Sequence, residues 1–307
     1  MTGPTAPGAG RSVAFGLIAY LLWGFFPIYF KLLAEIPPPQ VLAHRIAWSV
    51  MFLLPLCALS GRLSDLRRLF SDGRALVLLA CTTLLIAANW LIFIYAVGAG
   101  KILESSLGYF INPLVSALLG RLFLSERMSP LQQLAIVLAV AGVATRTAQL
   151  GHFPWIAISL AFSFGLYGLL RKRAGGIDPV SGLTVETSLL FVPALIYLFS
   201  QAGGSPGQLF PEAALARTLL ILSGVVTAIP LILFAAATRR LRLTTIGFLQ
   251  YITPTLHLLI AVVLYGEPFT AANALCFALI WAGVALYSYD AVRRLRNVAP
   301  PEAPLSP

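Results

Sequence analysis

The chain has 307 residues, of which 59% are hydrophobic and only 10% charged, with a formal net charge of +10. Soluble domains carry about 25% charged residues. The composition therefore excludes an ordinary soluble protein and points to one that crosses a membrane several times.

Charge-free stretches, in chain order, run 12–30, 46–61, 75–100, 105–120, 128–145, 147–170, 187–211, 218–238, 243–266 and 268–289. A spanning helix needs about 20 apolar residues, roughly 17–25. The sequence thus predicts an all-α polytopic membrane protein with ten transmembrane helices. Residues 1–11 and the basic, Pro-rich residues 292–307 read as cytoplasmic tails. A single Arg11 and no small-residue cleavage site precede the first stretch, so no cleavable signal peptide is expected. With the N-terminus inside, 16 Lys and Arg residues fall on the inner side and 5 on the outer. This bias predicts cytoplasmic N and C termini. It assigns the basic runs to topology and membrane lipids rather than to nucleic acid. The three cysteines lie in spans at unrelated spacings, so no disulfide framework or metal site is expected.

Sliding the chain by 141 residues places Gly24 on Gly165, Lys31 on Lys172, Phe93 on Phe234, Pro113 on Pro254 and Glu126 on Glu267. The same offset lays "AGVA" at 141–144 on "AGVA" at 282–285. The repeats are expected over 12–150 and 151–291, with five helices each. An odd number inverts the second unit, the construction of many secondary transporters.

Two helices have charge-free cores of only 16 residues, 46–61 and 105–120, bounded by Arg45 and Glu104. Either these two snorkel to an interface or they lie inside the protein, where they are expected to meet near the outer face in at least one state. Glu186, equivalent to Arg45 but at the inner face, has Arg171, Lys172, Arg239 and Arg242 to pair with. Arg45, Glu104 and Glu186 are the candidates for gating or proton coupling. Pro113 and Pro254 lie near midspan, where each frees a carbonyl and kinks its helix. Tyr109 and Asn112 with Gln250, Tyr251 and Thr253 are expected to line one cavity there. Asn89, Trp90, Trp23 and Tyr167 are further candidates for contacting a small-molecule substrate. His257 is a lone histidine and weakly indicated. Glu126 and Glu267 read as loop-fixing residues, with Ser129 and Thr270 as N-caps.

"PLVSALLGRLFLSERMSPLQQLAIVLAVAGV" followed by "PTLHLLIAVVLYGEPFTAANALCFALIWAGV" resembles the EamA repeat of the drug/metabolite transporter superfamily. "AYLLWGFFPIYFKL", "HRIAWS", "NWLIFIYAV", "ESSLGYFINPLV", "SFGLYGLLRK", "GLTVET" and "AATRRLRLTTIGFLQYITPTL" extend the likeness from about residue 13 to 290. The pattern departs at Ser105, where the relatives known to us have Ala, and at His257. The resemblance implies the inverted-repeat EamA fold in a bacterial inner membrane. It also implies transport of small organic solutes, such as amino-acid-like metabolites or drug-like compounds, and the chain is expected to be an exporter working by alternating access. No Walker-type motif is present, so an ion or solute gradient is the expected drive. The alternatives are an uncoupled facilitator or exchanger of the same fold and an intramembrane enzyme. Against the enzyme stand the lack of an H-E-x-x-H motif and Asp290 as the only aspartate near a span. No cofactor is expected, and the sequence leaves the oligomeric state open.

Overall fold

The protein, represented by a computed structural model, is described over residues 9–125, 127–173, 177–201, 209–238, 241 and 243–297. Every element among these residues is helical. The first span is α1 (Ala9–Gly24) and α2 (Phe26–Lys31), broken at Phe25. Pro27 is the cause, because it sits at the start of α2 and lacks the N–H that would bond Trp23. Next come α3 (Pro38–Leu59), α4 (Leu63–Ser71), α5 (Gly73–Gly98), α6 (Ile102–Leu124) and α7 (Pro130–Leu150). The second half holds α8 (Trp155–Arg173), α9 (Pro179–Gln201), α10 (Ala214–Thr238), α11 (Leu243–Leu249), α12 (Ile252–Leu259) and α13 (Ala271–Asn297). A π-helical turn, Ile260–Leu264, continues α12.

Eight of these helices are long and apolar enough to cross a membrane. The two remaining expected spans differ from the rest. α8 has 19 residues and ends in Arg171, Lys172 and Arg173. The stretch expected as one helix over 243–266 is instead broken at Gln250 and Tyr251 into α11 and α12. Pro254 is therefore the third residue of α12, where a missing N–H costs nothing, and not a mid-helix kink. Pro113 does lie inside a continuous helix, α6. The charged segment after α3, read from sequence only as a basic inner-side segment, is the short helix α4, which buries Leu66 against Cys57, Leu79 and Val185.

The inverted repeat is visible in its contacts. Gly142 of α7 lies against the Cys276 carbonyl of α13, and a β-carbon there would sit 3.0 Å from it. Gly283 of α13 lies against the Ala135 carbonyl of α7, at 2.7 Å by the same measure. Both pairs are related by the 141-residue offset. The later residue of one helix meets the earlier residue of the other, so the equivalent helices run antiparallel. Lipid gives helices no hydrophobic reason to associate, and close packing through small residues replaces it. The loops repeat as well. Ser125 and Gly266, again 141 apart, both take left-handed backbone, with φ of 54° and 64°. Ser129 caps α7 in a reciprocal capping box with Gln132, and Thr270 accepts from Asn273 N at the start of α13. Glu126 lies outside the described residues. Exposed Val, Leu and Ile side chains, among them Val77, Leu84, Val140, Ile196 and Val263, form the surface expected to face lipid.

Candidate functional site

Arg45 and Glu186 each lie seven residues into their helices, α3 and α9, from Pro38 and Pro179. At about 1.5 Å per residue this is roughly 10 Å from opposite faces. Their surroundings are also related by the repeat. The Arg45 guanidinium lies beside the rings of Phe26 and Phe30, and Glu186 lies beside the equivalents of those residues, Tyr167 and Arg171.

Arg45 is 3% exposed and well inside α3. Its Cζ stands 4.1 Å from the centre of the Trp90 ring, and its Nε donates to Thr227 Oγ1 at 2.7 Å. Thr227 in turn donates to the Ser223 carbonyl. This arrangement depends on Gly224, which lies directly on the Trp48 backbone and lets α10 settle on α3. Residues 45 and 48 on one helix then face 227 and 224 on the other. Arg45 forms no ion pair with Glu104 or with any other carboxylate among the described residues. Glu104, also buried, accepts instead from Ile156 N at the start of α8. A carboxylate suits that position because helix N-termini carry unbonded N–H groups and the positive end of the dipole. In this conformation Arg45 and Glu104 are thus held in two separate arrangements.

Glu186 is 1% exposed. Thr82 donates to its Oε1 at 2.6 Å and the Tyr167 hydroxyl to its Oε2 at 3.3 Å. Arg171 Nη1 stands 3.7 Å from Oε1, a loose ion pair. Arg171 reaches it by lying over Gly182, one turn earlier on α9, where any side chain would displace it. Of the four cations expected near Glu186, Arg171 is the partner seen, while Arg239 and Arg242 lie outside the described residues.

Between these buried charges lies a polar and aromatic centre. Asn89 donates to the Leu160 carbonyl at 3.1 Å and to Ser163 Oγ at 3.0 Å, and Tyr109 donates to Asn89 Oδ1 at 3.5 Å. Tyr109 meets His257 edge-on, and His257 stacks on Phe93 at 5.3 Å. His257 Nε2 lies 3.1 Å from the Trp23 carbonyl, the acceptor left free by Pro27. A carbonyl can only accept, so Nε2 donates to it, while buried Nδ1 has no hydrogen-bond partner. Asn112 Oδ1 is likewise buried and unpartnered. His257, weakly indicated by the sequence, is therefore central to the geometry. Its signal was Pro27, which leaves the Trp23 carbonyl to be met by some other donor. Trp23 packs against Tyr20 and Phe234, and Thr253 donates to the Tyr20 carbonyl.

The expected lining residues do not share one cavity in this conformation. Tyr251 stacks on Phe110, which packs against Phe277 and Trp281 of α13. Tyr109 points instead to Phe93 and His257. Neighbouring residues on a helix project about 100° apart, so one helix turn cannot aim both at the same space. Gln250 is half-buried at the break before α12. A cavity of about 510 Å³ is wholly apolar in its side-chain lining apart from Thr147, and it includes Ile111, Leu114, Ile136 and Phe162. A second crevice of about 260 Å³ lies between Phe26 and Tyr29 of α2 and Val226 and Pro230 of α10.

At the start of α6, both Glu267 oxygens accept backbone N–H groups, from Ile102 at 2.7 Å and Leu103 at 2.8 Å. The left-handed turn at Gly266 aims the side chain there. This is the loop-fixing role expected of it. Burial holds the Glu267 carboxyl above its usual range, opposed by these two hydrogen bonds and Lys31 and reinforced by Glu104.

Two antiparallel helical repeats enclosing buried charges define a polytopic membrane protein of the transporter class. The profile of the EamA-like transporter family matches residues 10–146 and again 154–289, so the chain belongs to that family. It is 44% identical over 287 residues to Protein RarD of Salmonella typhi, covering 94% of this chain and 97% of the relative. It is 42% identical over 287 residues to the uncharacterized transporter YojE of Bacillus subtilis, covering 92% and 95%. The chloramphenicol-sensitive protein RarD of Pseudomonas aeruginosa is 35% identical over 295 residues, covering 95% and 98%. One solved crystal structure superposes with a TM-score of 0.60 at 18% identity, over 92% of this chain and 99% of that one. At that identity the likeness speaks for the fold alone.

Proposed function

We propose that this protein is a secondary transporter that exports small organic solutes across the bacterial inner membrane by alternating access. The observation that carries the reading is the reciprocal contact of Gly142 with Cys276 and of Gly283 with Ala135. Two units related in this way can exchange conformations, and a site between them then opens to each side in turn. The face where α1 begins and α13 ends is assigned to the cytoplasm on the 16-to-5 cation split. Glu186, buried in the half nearer that face, is the carboxyl best placed to take up a coupling proton. Asn89, Trp90, Tyr109, Asn112 and Trp23 form the solute's surroundings, with Tyr167 beside Glu186. Gln250, Tyr251 and Thr253 join them in another conformation.

The name of the Pseudomonas relative supplies a probe. Labelled chloramphenicol is offered to proteoliposomes with and without a pH gradient. Gradient-driven accumulation that needs the protein supports coupled transport. Equal fluxes in both conditions leave an uncoupled facilitator, and no protein-dependent flux of this or any metabolite tested removes the reading. Reporter fusions after residue 290 should read cytoplasmic, and a tag between Glu267 and Thr270 external.

A further inference from the structure

Arg45 has an unusual set of neighbours for a buried cation. Buried charges are ordinarily paired, because leaving one alone in a low-dielectric interior is costly. Arg45 is 3% exposed, yet no carboxylate lies within 4.0 Å of it among the described residues. Its Nε is engaged by Thr227, and Trp90 covers one face of the guanidinium. Neither neighbour neutralises it. The partner expected from the sequence, Glu104, is committed to the start of α8. At the equivalent position of the other repeat, Glu186 does have an opposite charge, that of Arg171. Only the Arg45 side lacks its counter-ion.

We propose that Arg45 is the binding site for the anionic group of the solute, and that the substrates are organic anions bearing a carboxylate or a group of like geometry. The guanidinium offers a planar fork of donors that fits a carboxylate edge-on while its face remains stacked on an aromatic ring. Nε is engaged, so the Nη edge faces the ligand. The surroundings suit an organic ion better than a hydrated inorganic one. Phe26, Phe30 and Trp90 present apolar rings around the charge. Phe26, whose ring borders the guanidinium, also forms a wall of the 260 Å³ crevice between α2 and α10. Naming the anion as cargo rests on the transport reading, but its binding does not.

Three ring compounds of matched size separate the alternatives: benzoate, benzamide and benzylammonium. Each is titrated into the purified full-length protein and thermal unfolding is followed. Benzoate should stabilise at concentrations at least about tenfold below benzamide, the step that roughly 1.4 kcal/mol represents, and benzylammonium should not stabilise. Arg45→Gln should erase the preference, while Arg45→Lys should keep it in weaker form. Benzamide matching benzoate, or the preference persisting in Arg45→Gln, overturns the proposal. Should Arg45→Gln fail to fold, Trp90→Phe decides. Bound benzoate must alter tryptophan fluorescence in the parent and lose most of that change in Trp90→Phe; an undiminished change overturns the placement. Anion-selective stabilisation without flux of any probe in proteoliposomes leaves the site standing and counts against the transport reading. Flux without anion preference does the reverse.

Discussion

Arg45 and Glu186 are equivalent residues of an inverted repeat, buried about equally deep from opposite faces and carrying opposite charges. The scaffold around them is duplicated, but the chemistry is not. Where Phe30 lies beside Arg45, the equivalent Arg171 lies beside Glu186. One repeat thus supplies a paired carboxylate and the other a cation held by aromatic rings. A symmetric fold is in this way given an asymmetric interior.

The Glu186 side makes a prediction about stability. Removing Arg171 strands a buried carboxylate, whereas removing Glu186 leaves a cation whose side chain is 16% exposed against 1% for the carboxylate. Arg171→Gln should therefore destabilise more than Glu186→Gln. The double variant should be more stable than the sum of the singles implies, with a coupling of about 0.5–3 kcal/mol. Chemical unfolding of the four proteins in detergent measures it. Additive losses would mean that the 3.7 Å contact carries no interaction.

His257 is assigned a definite task, donation to the carbonyl that Pro27 leaves free. His257→Ala should cost about 1–3 kcal/mol, the usual penalty for an unsatisfied buried polar group. Pro27→Ala restores a backbone N–H one turn beyond Trp23. Added to His257→Ala, it should recover part of the lost melting temperature. No recovery would show that the histidine stabilises by stacking on Phe93 alone.

Glu267 gives a pH dependence of known sign. Its folded carboxyl is held above the usual range, so in the window between its ordinary and raised values the folded protein binds more protons than the unfolded chain. The stability this contributes is complete below the ordinary carboxylate range and is lost as pH rises through the raised value. Melting temperatures of the parent and of Glu267→Gln, compared across that window, should show the parent falling more steeply with rising pH. Parallel curves would contradict the assignment.

Much of this architecture was legible in the sequence. The 141-residue offset predicted the inversion of the second unit, which the antiparallel contact of α7 with α13 bears out, and the residue types predicted the caps at Ser129 and Thr270; Arg171 was one of four cations expected near Glu186. The short charge-free cores around Arg45 and Glu104 did mark charges taken into the protein. What was missed depends on third parties. Glu104 turned away from Arg45 because the start of α8 offered it an N–H, and nothing near 104 in the sequence announces residue 156. The break at Gln250 and Tyr251 falls where no glycine stands, and Pro254 betrayed it only as a displaced kink. The centre formed by Tyr109, His257 and the Trp23 carbonyl joins three separate spans, so no local pattern could show it.

The central claim is that a site between the two repeats opens to both faces of the membrane. Asn112 reports on it, being buried on α6 beside Pro113 with an unpartnered Oδ1. Asn112→Cys is placed in a variant whose three native cysteines are replaced, and a membrane-impermeant thiol reagent is applied from one side at a time. The account predicts labelling from either side, slowed by a bound solute. Labelling from one side only, or from neither while labelled chloramphenicol still crosses, would contradict it.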